Sequence, residues 1–207
     1  MKKFQKEGYP EKRMSCTGEP GTIERIRTIE KNETKLIRGG YMKILIVDDN
    51  SNNLYMLDVL LKGAGYVTAT AKNGIEALHQ LHDDHFDGIV SDILMPLMDG
   101  FYLIRECKKD PCLQQVPFIF YTATYTEKED QEFGLSLGAI RYIIKPAEPE
   151  EFLRQIKEAL SDHSHFPRDY SVQPVLDEAA FRREYNQRAD RKLLGKILSI
   201  DENREIR

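Results

Sequence analysis

Residues 43–50 read KILIVDDN, a lysine and four consecutive apolar residues followed by two aspartates and an asparagine. An unbroken apolar run of strand length has no polar face to offer water, so it fits a strand covered on both sides, as in a parallel sheet. Working outward, the same texture recurs. Leu54, Leu57, Leu60 and Leu61 stand at helical spacing before Gly63 and Gly65. Residues 66–71 (YVTATA) are β-prone, and Ile75, Ala77, Leu78 and Leu81 mark a second helix. Residues 87–91 (DGIVS) read as a third strand, with Phe101, Leu103 and Ile104 opening a third helix after Asp99-Gly100. Residues 116–121 (VPFIFY) predict strand four and 128–137 a helix; 140–144 predict strand five, and Phe152, Ile156, Ala159 and Leu160 a fifth helix. Five such units predict an α/β fold, a doubly wound five-stranded parallel sheet with its site at the carboxyl ends of the strands.

That alternation fills residues 42–160 of a 207-residue, 24.0 kDa chain. Residues 1–41 hold few large apolar side chains, only Ile23, Ile26, Ile29 and Leu36 hinting at a stripe, and read as a flexible extension. The abrupt change in texture there makes Met42 readable as an alternative natural start. Residues 161–175 contain two prolines and read as a linker, and 176–207 return to helix as a C-terminal connector. In that helix Phe181, Tyr185, Ala189, Leu193 and Ile197 run in steps of four as one ridge. With hydrophobic content of 41% and charged content of 31%, the chain is globular at least in part. No window carries the roughly 18 consecutive apolar residues of a membrane helix. The basic N-terminus lacks the apolar stretch of a secretory signal, and three cysteines are too few for a disulfide framework, so a cytoplasmic location is expected.

The charge is unevenly distributed. Residues 1–41 carry 10 basic against 6 acidic side chains, 42–160 carry 11 against 19, and 161–207 carry 9 of each. The acidic middle argues against a nucleic-acid surface, which needs basic residues to displace counterions, and suits a cation. The strand ends supply one. Strand one ends in Asp48-Asp49, strand three in Asp92, strand four in Thr122 and strand five in Lys145-Pro146. Carboxylates crowded at one sheet edge repel each other unless a cation joins them, and Mg²⁺ is the hard ion that such oxygen donors suit. A lysine and a hydroxyl beside them would cradle a phosphoryl group, and an aspartate can itself carry one as an acyl phosphate.

Four pieces in this order, ILIVDDN (44–50), SDILMPLMDG (91–100), YTA (121–123) and YIIKP (142–146), resemble the response-regulator receiver domain of two-component signalling across all of 43–160. The 30-residue step from Asp92 to Thr122 agrees with that family. The resemblance implies a flavodoxin-like sheet and a switch rather than an enzyme. It makes Asp92 the phosphoacceptor and has Asp48, Asp49 and the Leu94 carbonyl join Asp92 in holding Mg²⁺. It gives Thr122 and Lys145 to the phosphoryl group, and it makes Tyr142 the aromatic that moves with Thr122. It also implies a cis Lys145–Pro146 bond and a histidine kinase or phosphotransfer protein as donor.

An aspartyl-nucleophile phosphohydrolase wants a second carboxylate two residues after its nucleophile, but Asn50 and Ser51 stand there. A receiver fragment of a hybrid sensor kinase is the other alternative. His79, His82 and His85 suggest a metal site, yet the third is rotated away on a helix and solvated histidines are expected. Cys107 and Cys112 read as structural thiols. With no output domain recognised after residue 160, signalling by protein contact is expected, including a homodimer through the C-terminal helix or the helix 4–strand 5–helix 5 face.

Overall fold

The computed structural model describes residues 41–165 and 177–202, with side-chain surroundings for 41–161 and 177–191. The readings of residues 1–40, and of Leu193 and Ile197 on the C-terminal ridge, fall outside that range. Strands and helices alternate: β1 (Lys43–Val47), α1 (Ser51–Gly63), β2 (Val67–Ala71), α2 (Gly74–Asp83), β3 (Gly88–Ser91), α3 (Gly100–Lys109), β4 (Phe118–Thr122), α4 (Lys128–Ser136), β5 (Arg141–Ile144), α5 (Pro149–His165) and α6 (Glu178–Glu202). All strand pairs are parallel, in the order β2-β1-β3-β4-β5. This is the flavodoxin-like arrangement expected from the sequence.

Alternation along each strand divides the apolar residues between two cores. Ile44 and Ile46 of β1 face Leu57 and Leu61 of α1 and Phe152 and Ile156 of α5. Leu45 and Val47 face the opposite layer, with Leu78, Phe101, Ile104 and Phe133 from α2, α3 and α4. Because β1, β3 and β4 are covered on both faces, their sequences show no polar alternation. The helix starts are set by side-chain caps. Asn50 accepts from the amides of Asn52 and Asn53, Asn73 from that of Glu76, and Asp99 from that of Tyr102. At α4 the capping position is Glu127, and its side chain makes no such bond.

Strand boundaries shift by one or two residues from the apolar runs, for identifiable reasons. The Tyr66 amide closes the end of α1 on Leu61 O, so β2 begins at Val67. The Val116 amide is used in a turn to Leu113 O and Pro117 has no N–H, so β4 begins at Phe118. The helix α5 continues to His165, into the stretch read as linker, because no helix breaker precedes Pro167.

The largest difference concerns the C-terminal helix. The first part of its ridge, Phe181 and Tyr185, packs on α3 and α4 of its own chain. Asp177 caps α6 by accepting from the Ala180 amide at 2.7 Å. Phe181 is 0% exposed, with its ring edge-on to Tyr102 at 4.9 Å and stacked on Phe133 at 6.0 Å. The Arg105 guanidinium lies 4.5 Å from the Phe181 ring centre and bonds Glu178 at 2.5 Å. One turn further on, the Tyr185 hydroxyl donates to Asp99 Oδ2 at 2.5 Å. The buried Arg188 reaches Glu129 O at 3.0 Å and Asp130 at 3.5 Å.

Candidate functional site

The parallel sheet brings the ends of β1 and β3 side by side, Val47 opposite Ser91, so the residues after them meet. Ligand oxygens of Asp48, Asp49 and Asp92 lie within 4.8 Å of one another, the one grouping of potential metal ligands among the described residues. Asp48 is buried, Asp49 exposed and Asp92 between them, so the cluster opens to water on one side. The cis Lys145–Pro146 bond follows β5. The Lys145 ammonium sits 2.6 Å from Asp48 Oδ2 and 3.2 Å from Asp92 Oδ2, bridging the two carboxylates and offsetting part of their repulsion.

Asp48 is held most firmly. Besides Lys145 it accepts from the Asn50 amide at 2.8 Å and from Asn53 Nδ2 at 3.1 and 3.0 Å. This occupies a carboxylate that burial would otherwise penalise. Asp92 is held by fewer groups: Oδ1 accepts from the Ile93 amide at 2.6 Å and Oδ2 from Lys145. Behind it Gly100 donates its amide to Ile93 O at 2.9 Å, tying the start of α3 to the loop after β3. A Cβ at position 100 would overlap the Asp92 carbonyl oxygen and lie 2.9 Å from Ile93 Cα. Only glycine allows this approach.

Thr122 stands at the end of β4, with its hydroxyl turned into its own loop. It bonds Thr124 O and Thr124 Oγ1, each at 3.1 Å. Lys145 is anchored beside it, its amide donating to Thr122 O at 2.8 Å. The Tyr142 hydroxyl donates to Tyr125 O at 2.5 Å. Burial, then the neighbouring Asp130 and Asp92 charges, push that hydroxyl well above the usual tyrosine range, so it remains a donor. Tyr125 holds a left-handed φ of 55°, which is uncommon for a bulky residue and marks the β4–α4 loop as locally strained. The Leu94 side chain is 45% exposed beside Asp92.

The structure therefore gathers Asp48, Asp49, Asp92 and Lys145 into one pocket and sets Thr122 and Tyr142 along the adjoining β4–α4 loop. The histidines stay apart from it. His82 lies 3.8 Å from Asp110, and His85, beyond the end of α2, lies 3.6 Å from Asp87. Cys107 is a free, buried thiol, its pKa pushed up to about 12 by burial, whereas Cys112 is disulfide-bonded, so Cys112 is not the thiol expected from the sequence and the two do not pair with each other. Sequence reading missed Asn53, although its place five residues after Asp48, on the first turn of α1, was a usable signal. It also missed Asp99 as the partner of Tyr185, a pairing that needs the tertiary fold.

Fold and site together define a flavodoxin-like α/β protein with an acidic, lysine-braced pocket at its strand ends. Residues 44–157 match the model of the response regulator receiver domain, and the chain belongs to that family of two-component signalling switches. It is 35% identical over 165 residues to the transcriptional regulatory protein ZraR of Klebsiella oxytoca, an alignment covering 78% of this chain and 35% of ZraR. Among solved structures it resembles the receiver domain of a signal transduction histidine kinase from Syntrophus aciditrophicus, with 34% identity and a TM-score of 0.56. That match covers 61% of this chain and 96% of the other. It also resembles the receiver domain of sensor histidine kinase PA1611 from Pseudomonas aeruginosa, described with magnesium coordinated in its active-site cleft. Identity there is 28% and the TM-score 0.54, covering 58% of this chain and 98% of that one. The chain spans about half the length of several curated relatives that it matches. Among the described residues no helix is long and apolar enough to cross a membrane.

Proposed function

We propose that this chain is the phosphoacceptor of a two-component relay, taking a phosphoryl group from a histidine kinase or phosphotransfer protein onto Asp92. The supporting observation is the convergence of Asp48, Asp49, Asp92 and Lys145 in one partly open pocket. An Asp92 oxygen attacks phosphorus, the O–P bond forms as the P–N bond to the donor imidazole breaks, and the imidazole leaves. Three carboxylate donors against one lysine leave an excess of negative charge, so the donor set fits a hard divalent ion. Asp48, Asp49, Asp92 and the Leu94 carbonyl would hold Mg²⁺, which offsets charge on the transferring group. Lys145 keeps Asp92 oriented and pairs with the phosphoryl oxygens once they arrive. Thr122 turns its hydroxyl from Thr124 O toward the same oxygens, and Tyr142 follows as its acceptor loop moves.

The new charge then shifts the balance between two arrangements of the α4–β5–α5 face, read by a partner protein or a second copy. Only the difference in phosphoryl interaction between those arrangements drives the shift. A cytoplasmic location accords with a kinase-linked switch. ZraR is named a transcriptional regulatory protein, which makes gene control the output class to test first for the whole protein. The reading is tested by intact mass after incubation with acetyl phosphate, with and without Mg²⁺. One phosphoryl group is expected on the wild-type chain with Mg²⁺ and none on Asp92→Asn. Full labelling of that variant would refute the assignment.

A further inference from the structure

The helix α6 is seated on residues that lie a few positions downstream of the two groups expected to sense a phosphoryl group. On one side, Tyr185 bonds Asp99, the residue before Gly100, whose amide holds the Asp92 loop through Ile93 O. On the other side, Arg188 and Arg191 grip the first turn of α4. Arg188 donates to Glu129 O at 3.0 Å, lies 3.5 Å from Asp130 and covers the Phe133 ring at 4.2 Å. Arg191 pairs with Glu127 at 2.7 Å. That first turn is the direct continuation of the Thr122–Tyr125 loop and lacks a side-chain cap at Glu127.

We propose that α6 is an intramolecular latch on the α3–α4 face, docked while Asp92 is unmodified and released when Asp92 carries a phosphoryl group. The inference rests on the role proposed above for Asp92. The Thr122 hydroxyl is engaged by Thr124, and Lys145 is engaged by Asp48 and Asp92. A phosphoryl group that recruits the Thr122 hydroxyl takes it from Thr124 O. The strained Tyr125 segment, held by the Tyr142 hydroxyl, then loses its support on that side. The carbonyl of Glu129 and the carboxylate of Asp130 move with it. Arg188 keeps Glu184 of its own helix at 2.8 Å, but Glu129 O and Asp130 are what tie it to α4, and at 8% exposure it cannot exchange those two for water while α6 stays seated. A buried cation whose acceptors shift is costly, and undocking rehydrates it. Released, α6 uncovers Tyr102 and Phe133, now sealed by Phe181, and the face is open to other contacts.

The test is hydrogen exchange of the full chain with Mg²⁺, with and without excess acetyl phosphate, reading amides in 181–191 while intact mass follows phosphoryl uptake. Tyr185→Phe, which deletes only the Asp99 bond, should already speed exchange of 181–191 before any phosphoryl group is added. The latch predicts at least tenfold faster exchange of 181–191 in the phosphorylated chain and no change in Asp92→Asn. Phosphoryl uptake with unchanged exchange in 181–191 overturns the latch and leaves the role of Asp92 standing. Absence of uptake overturns both.

Discussion

Replacing Gly100 by alanine tests how tightly the start of α3 is joined to the loop that carries Asp92. The added Cβ would overlap Asp92 O and stand 2.9 Å from Ile93 Cα and 3.1 Å from the Phe120 ring. Carbon pairs rest at about 3.5–4.0 Å, so the helix start and the 92–93 backbone must separate by roughly half an ångström or more. Two of the obstructing atoms are backbone, which yields less readily than a side-chain tip. Overpacking of this kind costs about 1–3 kcal/mol, and the Gly100–Ile93 hydrogen bond lengthens as well. Against this, exchanging glycine for alanine in a helix returns about 0.5–1 kcal/mol at an interior position and less at a first residue. A net loss of about 1–2 kcal/mol is expected in urea unfolding, and phosphoryl uptake from acetyl phosphate should fall about tenfold or more as Asp92 is displaced. The control is Gly63→Ala at the end of α1, where nothing lies within 4 Å of the new methyl. It should be neutral or stabilising by a few tenths of a kcal/mol with unchanged uptake. If the two variants unfold alike and label alike, the close approach at Gly100 has no energetic or functional weight and the reasoning fails.

Two further substitutions probe other parts of the molecule. Leu94 stands exposed beside Asp92 with no group to orient a water, so Leu94→Asn should speed loss of the phosphoryl group several-fold. A rate unchanged or slower, followed by intact mass after removing the donor, would count against a shielding role. Lys108 donates to Gln114 O at 2.8 Å, and burial brings its ammonium down to about 8. Its folded value lies below the unfolded one of 10.5, so the charged form is disfavoured by folding and the penalty is fully present below pH 8. The penalty lifts between about 8 and 10.5, where the unfolded chain still binds the proton and the folded chain does not. The unfolding free energy of wild type minus that of Lys108→Met should therefore rise from pH 7 to 9.5, by on the order of 2 kcal/mol. Cys107 is present in both proteins and cancels to first order; a difference independent of pH would refute the assignment.

The fold was legible because each buried strand announces itself locally. KILIV, GIVS and FIFYT lack any polar alternation, and Asn50, Asn73 and Asp99 mark helix starts through bonds confined to three residues. Asp48, Asp49, Asp92 and Lys145 were legible as a group because a parallel sheet delivers all strand ends to one edge. What could not be read was anything decided by the choice among surfaces. The ridge of Phe181 and Tyr185 is equally apolar whether it meets its own α3 or a second chain. Tyr102, Asp99 and Phe133 make their own chain the partner only after the sheet has placed them together. Arg188 gives no sign of its burial in the sequence, because arginine is seldom buried and its acceptor Glu129 O is a backbone atom that carries no signature there. The end of α5 at His165 was missed because polar composition after Ser161 resembles a linker although nothing there breaks a helix.

The seat of α6 has a consequence for the order in which the chain acquires structure. The central strand β1 pairs with β2 and β3, so much of the sheet is assembled from neighbours close in sequence. The contacts of α6 span far longer separations, 73 residues between Arg105 and Glu178 and 86 between Asp99 and Tyr185. All the strands and helices of both layers, residues 43–165, precede Phe181 in the chain, so α6 follows them in synthesis. In proteins most helical stability comes from packing an apolar face rather than from propensity, so Phe181 and Tyr185 make the α3–α4 surface the support on which α6 takes shape. It is therefore the last unit to fold and the first to open. Substitutions at its contacts should leave the folding rate of the sheet untouched and appear only in the unfolding limb.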